Sequence, residues 1–348
     1  MLDETVGINL ETITDVTSTD FPGYIRGEDE SFNLDDFRSG VSVEFHHNEQ
    51  FDASFSLIGV DASLANAFRR ILVAEIPTLA IENVYIENNT SVIQDEVLAH
   101  RLGLIPFTGG REGIHEYMRW HKKPEPGQDP YATCFDYNTV QLELNVSCTV
   151  NKDAAPGEMD PTRAFHNAHV YARDIVFVPT GKQTEYFAGE NAIRPVHPDI
   201  LIAKLRPRQS ISLSMHMHKG IGGDHAKFSP VATAYYRLMP TITITEPILG
   251  DDAVKFAKCF AKGVIDLEDD SGELKAVVKN PMKDVVNREC LRHPEFEGKV
   301  KLGRKRDHFI FSIESTGQWN SDELFLEAVK HLKQKCERLE QQIIDMVE

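Results

Sequence analysis

The chain has 348 residues, 41% hydrophobic and 26% charged, an ordinary globular composition whose length suggests about two domains. Acidic residues outnumber basic ones by 54 to 37, and a net charge of −17 argues against a broad face for phosphate backbones. No apolar run approaches the roughly 20 residues of a membrane span, and the opening MLDETVGINLETITD is acidic, without the apolar core of a secretory signal.

Residues 1–40 are rich in Asp, Glu, Ser, Thr and Gly, with isolated apolar residues at Phe21, Phe32, Leu34 and Phe37. They read as an extended arm ordered by whatever it lies on. From Val41 the segments VSVEF and FDASFSLIGV alternate apolar and polar residues, as half-buried strands do. A helix follows over 61–76, capped by Asp61 and stopped by Pro77. Its apolar residues Leu64, Phe68, Ile71, Leu72 and Ile76 share one face, with Asn66, Arg69 and Arg70 beside or behind it. The strand LAIENVYIE comes next, then a short helix, DEVLAHRLG, opened by Asp95 and closed by Gly103.

Residues 107–225 mix Gly- and Pro-dense loops with the strands VQLELNVSCTV, AHVYARDIVFV and QSISLSMHMH. In the last, Ile211, Leu213, Met215 and Met217 take one face, leaving His216 and His218 on the polar face. This stretch reads as a small β-rich domain. The chain then returns to a long strand, VATAYYRLMPTITIT, an irregular segment over 250–305, and the strand DHFIFSIES. It closes on a helix from Ser321, a candidate cap, to Val347. The apolar stripe of that helix, Leu324, Phe325, Ala328, Val329, Leu332, Cys336, Leu339, Ile343 and Met346, runs about seven turns. One small sheet cannot cover it, so its far end is expected to meet another chain.

The common catalytic signatures are absent: no H-E-x-x-H, G-x-S-x-G, Walker A or strand-linked G-x-G-x-x-G occurs. The cysteines at 134, 148, 259, 290 and 336 contain no C-x-x-C, which favours reduced thiols in a reducing compartment. His216, His218 and Asp224 form the one candidate metal set, and a metal-dependent enzyme centred there is the alternative reading; ordinary surface histidines are the plainer one. IDLEDDSGE has alternate carboxylates but Ser271 where a calcium loop needs glycine, so it reads as a solvated hairpin. The run KVKLGRKR, with Lys299, Lys301, Arg304, Lys305 and Arg306, reads as a solvated loop, with a phosphate contact or an import signal as the functional alternatives.

Residues 61–107, DASLANAFRRILVAEIPTLAIENVYIENNTSVIQDEVLAHRLGLIPF, carry a specific resemblance. They resemble the alpha motif of the RNA polymerase alpha-like subunits at Leu64, Asn66, Arg69, Arg70, Ile71, Leu72 and Pro77, and again at Asp95, Glu96, His100, Arg101 and Gly103 to Pro106. FIFSIESTGQWNSDELFLEAVKHLKQK is similar to that family's closing strand and dimerisation helix, and GIGGDHAKFSPVATAYYRLMP to its return from an inserted domain. STDFPG and the lack of paired cysteines look most like the larger alpha-like subunit shared by polymerases I and III; the polymerase II counterpart, with its four-cysteine zinc site, is the alternative branch.

The resemblance implies an α+β fold. Its dimerisation domain, an antiparallel sheet with two long helices over 41–85 and 226–348, is split by an inserted β-rich domain over 86–225, and a ferredoxin-like segment without metal lies at about 250–305. It implies a non-catalytic scaffold of polymerases I and III that pairs with the smaller alpha-like subunit, docks the second-largest subunit and meets other subunits of both polymerases. It would support rRNA, 5S rRNA and tRNA transcription in the nucleus, including the nucleolus. No cofactor, direct DNA contact or membrane is expected. The implied dimer seam is Leu64, Phe68, Ile71, Leu72, Leu324, Phe325, Ala328, Val329, Leu332, Cys336, Leu339 and Ile343. The implied docking residues for the second-largest subunit are Asn66, Arg69, Arg70, His100 and Arg101.

Overall fold

The computed structural model describes residues 5–14, 33–122, 124–125, 127, 129, 131–155, 157–270 and 272–347. In chain order its principal elements are strand β1 (Thr5–Ile8), helix α1 (Leu34–Gly40), strands β2 (Ser42–Asn48) and β3 (Asp52–Ile58), helix α2 (Ala62–Ala74), strand β4 (Pro77–Asn89) and helix α3 (Asp95–Gly103). Strands β5 (Val140–Ser147), β6 (Val176–Val178), β7 (Leu201–Lys204), β8 (Ser210–Ile221) and β9 (Val231–Ile244) follow. Helix α4 (Gly250–Lys258), strands β10 (Ile265–Asp270), β11 (Glu273–Val278) and β12 (Val300–Ser315) and helix α5 (Ser321–Val347) complete the chain. The mixed content and antiparallel pairing make this an α+β protein.

Two compact units divide the chain. The first takes residues 1–47, 54–67 and 235–312. Its sheet runs from the short strand Ile13–Thr14 through β1, β12 and β3 to β2, with β9 also paired to β12. The rings of Phe55 and Phe311 lie parallel, 5.5 Å apart, and Tyr236 meets Phe309 and Phe311. Gly303 is needed where β12 passes β1 and β9. A Cβ there would lie 2.8 Å from Thr241 Oγ1 and 2.9 Å from the Val6 carbonyl oxygen. A second core gathers α4, the β10–β11 hairpin and the following turns around Phe256, Phe260, Phe296, Cys259 and Cys290.

Three expectations change in this unit. The arm over 1–40 is partly regular: β1 pairs with β12 in the register Thr5↔Lys305 to Ile8↔Leu302, and α1 is capped by the Asn33 side chain. Phe21 and Phe32 lie outside the described residues. The irregular stretch over 250–305 contains α4 and a hairpin, because its apolar residues bury a core of their own. KVKLGRKR is strand, not loop, since backbone pairing with β1 supplies the hydrogen bonds its charged sequence does not advertise.

The second unit takes residues 48–53, 68–234 and 313–348. Its main sheet is antiparallel in the order β6, β5, β8, β4. The β4–β8 pairing continues from Pro77↔Ile221 to Asn89↔Ile211 with two register shifts. That ladder gives a physical reason why the compact units do not divide at residue 85 as the expected domains do. Leu98 and Leu102 of α3 share one buried cluster with Leu142 and Leu144 of β5 and Leu213, Met215 and Met217 of β8.

The other face of β8 is not open. His216 and His218 are only 6% and 4% exposed, so they are not surface histidines. His121 and Tyr131 cover them: the rings of His121 and His218 stack at 4.0 Å, and Tyr131 sits edge-on to His216. At the start of α5, Ser321 is not the cap. Its hydroxyl donates to the Glu49 carbonyl at 2.7 Å, while the Leu324 N–H reaches the carbonyl of Asn320.

Candidate subunit-docking surfaces

Amphipathic helices bury one stripe against something, and α5 has more stripe than its own unit covers. Its first two turns are sealed on one face. Leu324, Phe325 and Ala328 are buried, and Phe325 meets the ring of Phe68 from α2 edge-on at 5.3 Å. Ile71 and Leu72 of α2 are buried as well. These five expected seam residues are buried within the chain.

The later turns differ. Leu64, Phe68 and Leu332 are half-buried, while Val329, Cys336, Leu339 and Ile343 are exposed, the last two at 58% and 61%. Val329, Leu332, Cys336, Leu339, Ile343 and Met346 recur at steps of three and four, one continuous stripe. Leu326, Ile344, Val347 and Val73 are also exposed and were missed by the sequence reading; Leu326 and Ile344 fall on a flank of the stripe, where periodicity gives no signal.

Charged side chains fasten the two helices. Lys335 Nζ lies 2.8 and 3.1 Å from the two Glu75 carboxylate oxygens, and His331 Nε2 lies 3.1 Å from one of them. Partial burial pushes the Glu75 pKa up, but the Lys335 hydrogen bond and charge together with His331 outweigh it and leave it below the ordinary value. His115 Nε2 lies 3.4 Å from Glu327 of α5, and its burial favours the neutral imidazole.

Asn66 and Arg69 are half-buried on α2, Arg70 is exposed there, and His100 and Arg101 are exposed on α3. The Arg101 guanidinium donates to the Leu201 carbonyl at 2.7 Å. The five therefore lie on two helices.

The alternative metal set is not assembled. Asp224 is exposed, whereas His216 and His218 are buried and otherwise engaged. His218 Nδ1 lies 3.1 Å from the Asn138 carbonyl and Nε2 lies 3.3 Å from Asn83 Nδ2; His216 Nδ1 faces Cys134 Sγ at 3.8 Å. Burial lowers both imidazole pKa values, that of His218 to about 4. Among the described residues no group of three or more His, Cys, Asp or Glu is placed to hold a metal ion. Cys259 and Cys290 share the second core of the first unit as free thiols, and burial first, then the nearby Cys259 and Asp284, pushes Cys290 up to about 12.

The family pattern "RNA polymerase Rpb3/Rpb11 dimerisation domain" matches residues 54–336. A Saccharomyces cerevisiae protein named DNA-directed RNA polymerases I and III subunit RPAC1 is 49% identical over 334 residues, covering 96% of this chain and 97% of its own. Its human namesake is 46% identical, covering 94% and 91%. A DNA-directed RNA polymerase II subunit rpb3 from Dictyostelium discoideum is 30% identical, covering 84% and 91%. The chain therefore belongs to the Rpb3/Rpb11 family of RNA polymerase alpha-like subunits, in the branch of the larger subunit shared by polymerases I and III.

Proposed function

We propose that this chain is a non-catalytic assembly scaffold of nuclear RNA polymerases I and III, working in the nucleoplasm and the nucleolus. The dimerisation-domain match and the full-length likeness to subunits named for polymerases I and III support it. The observation that carries the pairing step is the bare stripe of α5. Val329, Cys336 and Ile343 take one position of a heptad, and Leu332, Leu339 and Met346 the other. Two of the three residues at the first are β-branched and two of the three at the second are leucine, a pattern that suits packing against a single partner helix.

The partner is the smaller alpha-like subunit. The seam comprises the open turns of α5 with Leu64 and Phe68, stiffened from behind by Ile71, Leu72, Leu324, Phe325 and Ala328. Obligate interfaces commonly bury more than roughly 2,000 Å² and resemble a core cut in half, which such a stripe fits. Asn66, Arg69, Arg70, His100 and Arg101 serve the second-largest subunit, Arg suiting bidentate pairing with carboxylates. Residues 41–85 and 226–348 act as the dimerisation domain in this reading and 86–225 as its insert. No step of nucleotide transfer is assigned to this chain, and its net charge of −17 suits a position away from nucleic acid.

The test is co-expression with the smaller alpha-like subunit, followed by size-exclusion chromatography with light scattering. A 1:1 complex is expected, with the lone chain aggregating or self-pairing. A lone chain that stays monomeric and ignores the partner overturns the reading.

A further inference from the structure

Helix α3 is nine residues long and leaves one apolar residue, Val97, off its buried side. Leu98 and Leu102 face the core. On another side, Ile93, Val97 and Arg101 recur at steps of four, and neither Val97 at 48% exposure nor Val92 at 86% is covered by its own chain. Together with β7 and the residues after it, this side bounds an open groove of about 550 Å³. Its floor is aliphatic: Ile93, Val97, Leu201, Ile202 and Ala203.

The charges of the groove run against those of the chain. Among the described residues Arg101, Lys204 and Arg206 line it and no carboxylate or aromatic ring does, in a protein with 17 more acidic than basic residues. The Arg101 guanidinium is held in place, donating to the Leu201 carbonyl at 2.7 Å. A cationic rim around an aliphatic floor selects a ligand with carboxylates outside and a branched side chain within. Nucleic acid fits less well, because single strands bind by stacking on aromatic rings and none lines this groove.

We infer that the groove between α3 and β7 receives a short acidic peptide segment of another polymerase subunit. A Leu, Ile or Val of that segment packs on Ile93 and Val97, and its Asp or Glu side chains pair with Arg101, Lys204 and Arg206. The inference rests on the assembly reading above and gives a chemistry to the neighbourhood of Arg101; Asn66, Arg69, Arg70 and His100 lie outside the lining.

The test replaces Val97 with the photo-cross-linker p-benzoylphenylalanine in the full chain, purified as part of the assembled polymerase. After irradiation the attached peptide is mapped by mass spectrometry. The expected product is a segment of a neighbouring subunit with an excess of Asp and Glu and an aliphatic residue at the attachment point. The double variant Lys204→Glu, Arg206→Glu should lower its yield about tenfold, and added salt should lower it in the unaltered groove. No cross-link, attachment to RNA or DNA, attachment to a second copy of this chain, or attachment to a segment lacking carboxylates overturns the proposal. An assembled polymerase without the cross-link sinks the groove alone. A chain that does not co-purify with polymerase subunits sinks the assembly reading and the groove with it.

Discussion

Glu75, one residue beyond α2, holds Lys335 of α5 through both carboxylate oxygens, at 2.8 and 3.1 Å. The contact lies where α5 passes from its buried first turns to its bare later ones, so it fixes the direction in which the open stripe is presented. Glu75→Gln should leave the chain folded and cost up to about 1 kcal/mol, the range of partly exposed ion pairs. The Glu75 pKa is depressed in the folded state, so the contribution is present above the ordinary carboxylate range and disappears as pH falls through the folded value. Denaturant unfolding of both forms at pH 7 and near pH 3 checks this; a stability gap that persists in acid contradicts it.

The stripe separates folding from pairing. Leu339→Asp places a charge at an exposed position, so the lone chain should keep its secondary structure while co-purification of the smaller alpha-like subunit is lost. Leu332→Asp should act in the same direction, with some cost to the chain itself because this residue is half-buried. Leu324→Ala, at a fully buried position, should instead destabilise the chain by about 2–5 kcal/mol. Circular dichroism and pull-down on all three decide it, and retained pairing by both aspartate variants removes the seam.

Thiol labelling reads the same surface. Cys336 is exposed on α5, whereas Cys259 and Cys290 are buried and hold their thiols protonated at neutral pH. A maleimide should modify Cys336 in the lone chain and spare the other two until unfolding. Adding the smaller alpha-like subunit should slow Cys336 labelling at least tenfold. Equal rates with and without that partner would place Cys336 outside the interface.

His218 links acid sensitivity to the β-rich part. It stays neutral in the fold with a pKa of about 4, mainly through burial, against 6.5 for a free imidazole. Its contribution is complete above pH 6.5 and is lost as pH falls toward 4, a change of order 3 kcal/mol. Hydrogen exchange over 131–139 should accelerate across that window. His218→Gln should flatten the dependence, and an unchanged profile would assign it to other groups.

Local chemistry made several elements readable. Helix α3 was expected over the nine residues it occupies, and α5 from Ser321 to Val347, because a 3.6-residue apolar period and flanking stop signals are written in adjacent residues. The strand β8 was equally plain from its alternation. KVKLGRKR was not, since a strand made by its neighbours shows no pattern of its own until β1 pairs with it.

The sequence by itself determined the family, the periodic helices and strands, and the presence of an apolar stripe longer than one small sheet can cover. Only the tertiary structure decided which residues of that stripe are still open. Leu324 and Leu339 are the same residue type on the same face of one helix, yet one is fully buried and the other mostly exposed. Burial is a property of what packs against a residue: Phe68 of α2 meets Phe325 in the first turns of α5, whereas Leu339 stands 58% exposed further along. His216 and His218 make the same point. Alternation placed them on the polar face of β8, and a covering segment without periodicity, including His121 and Tyr131, turned that face into interior.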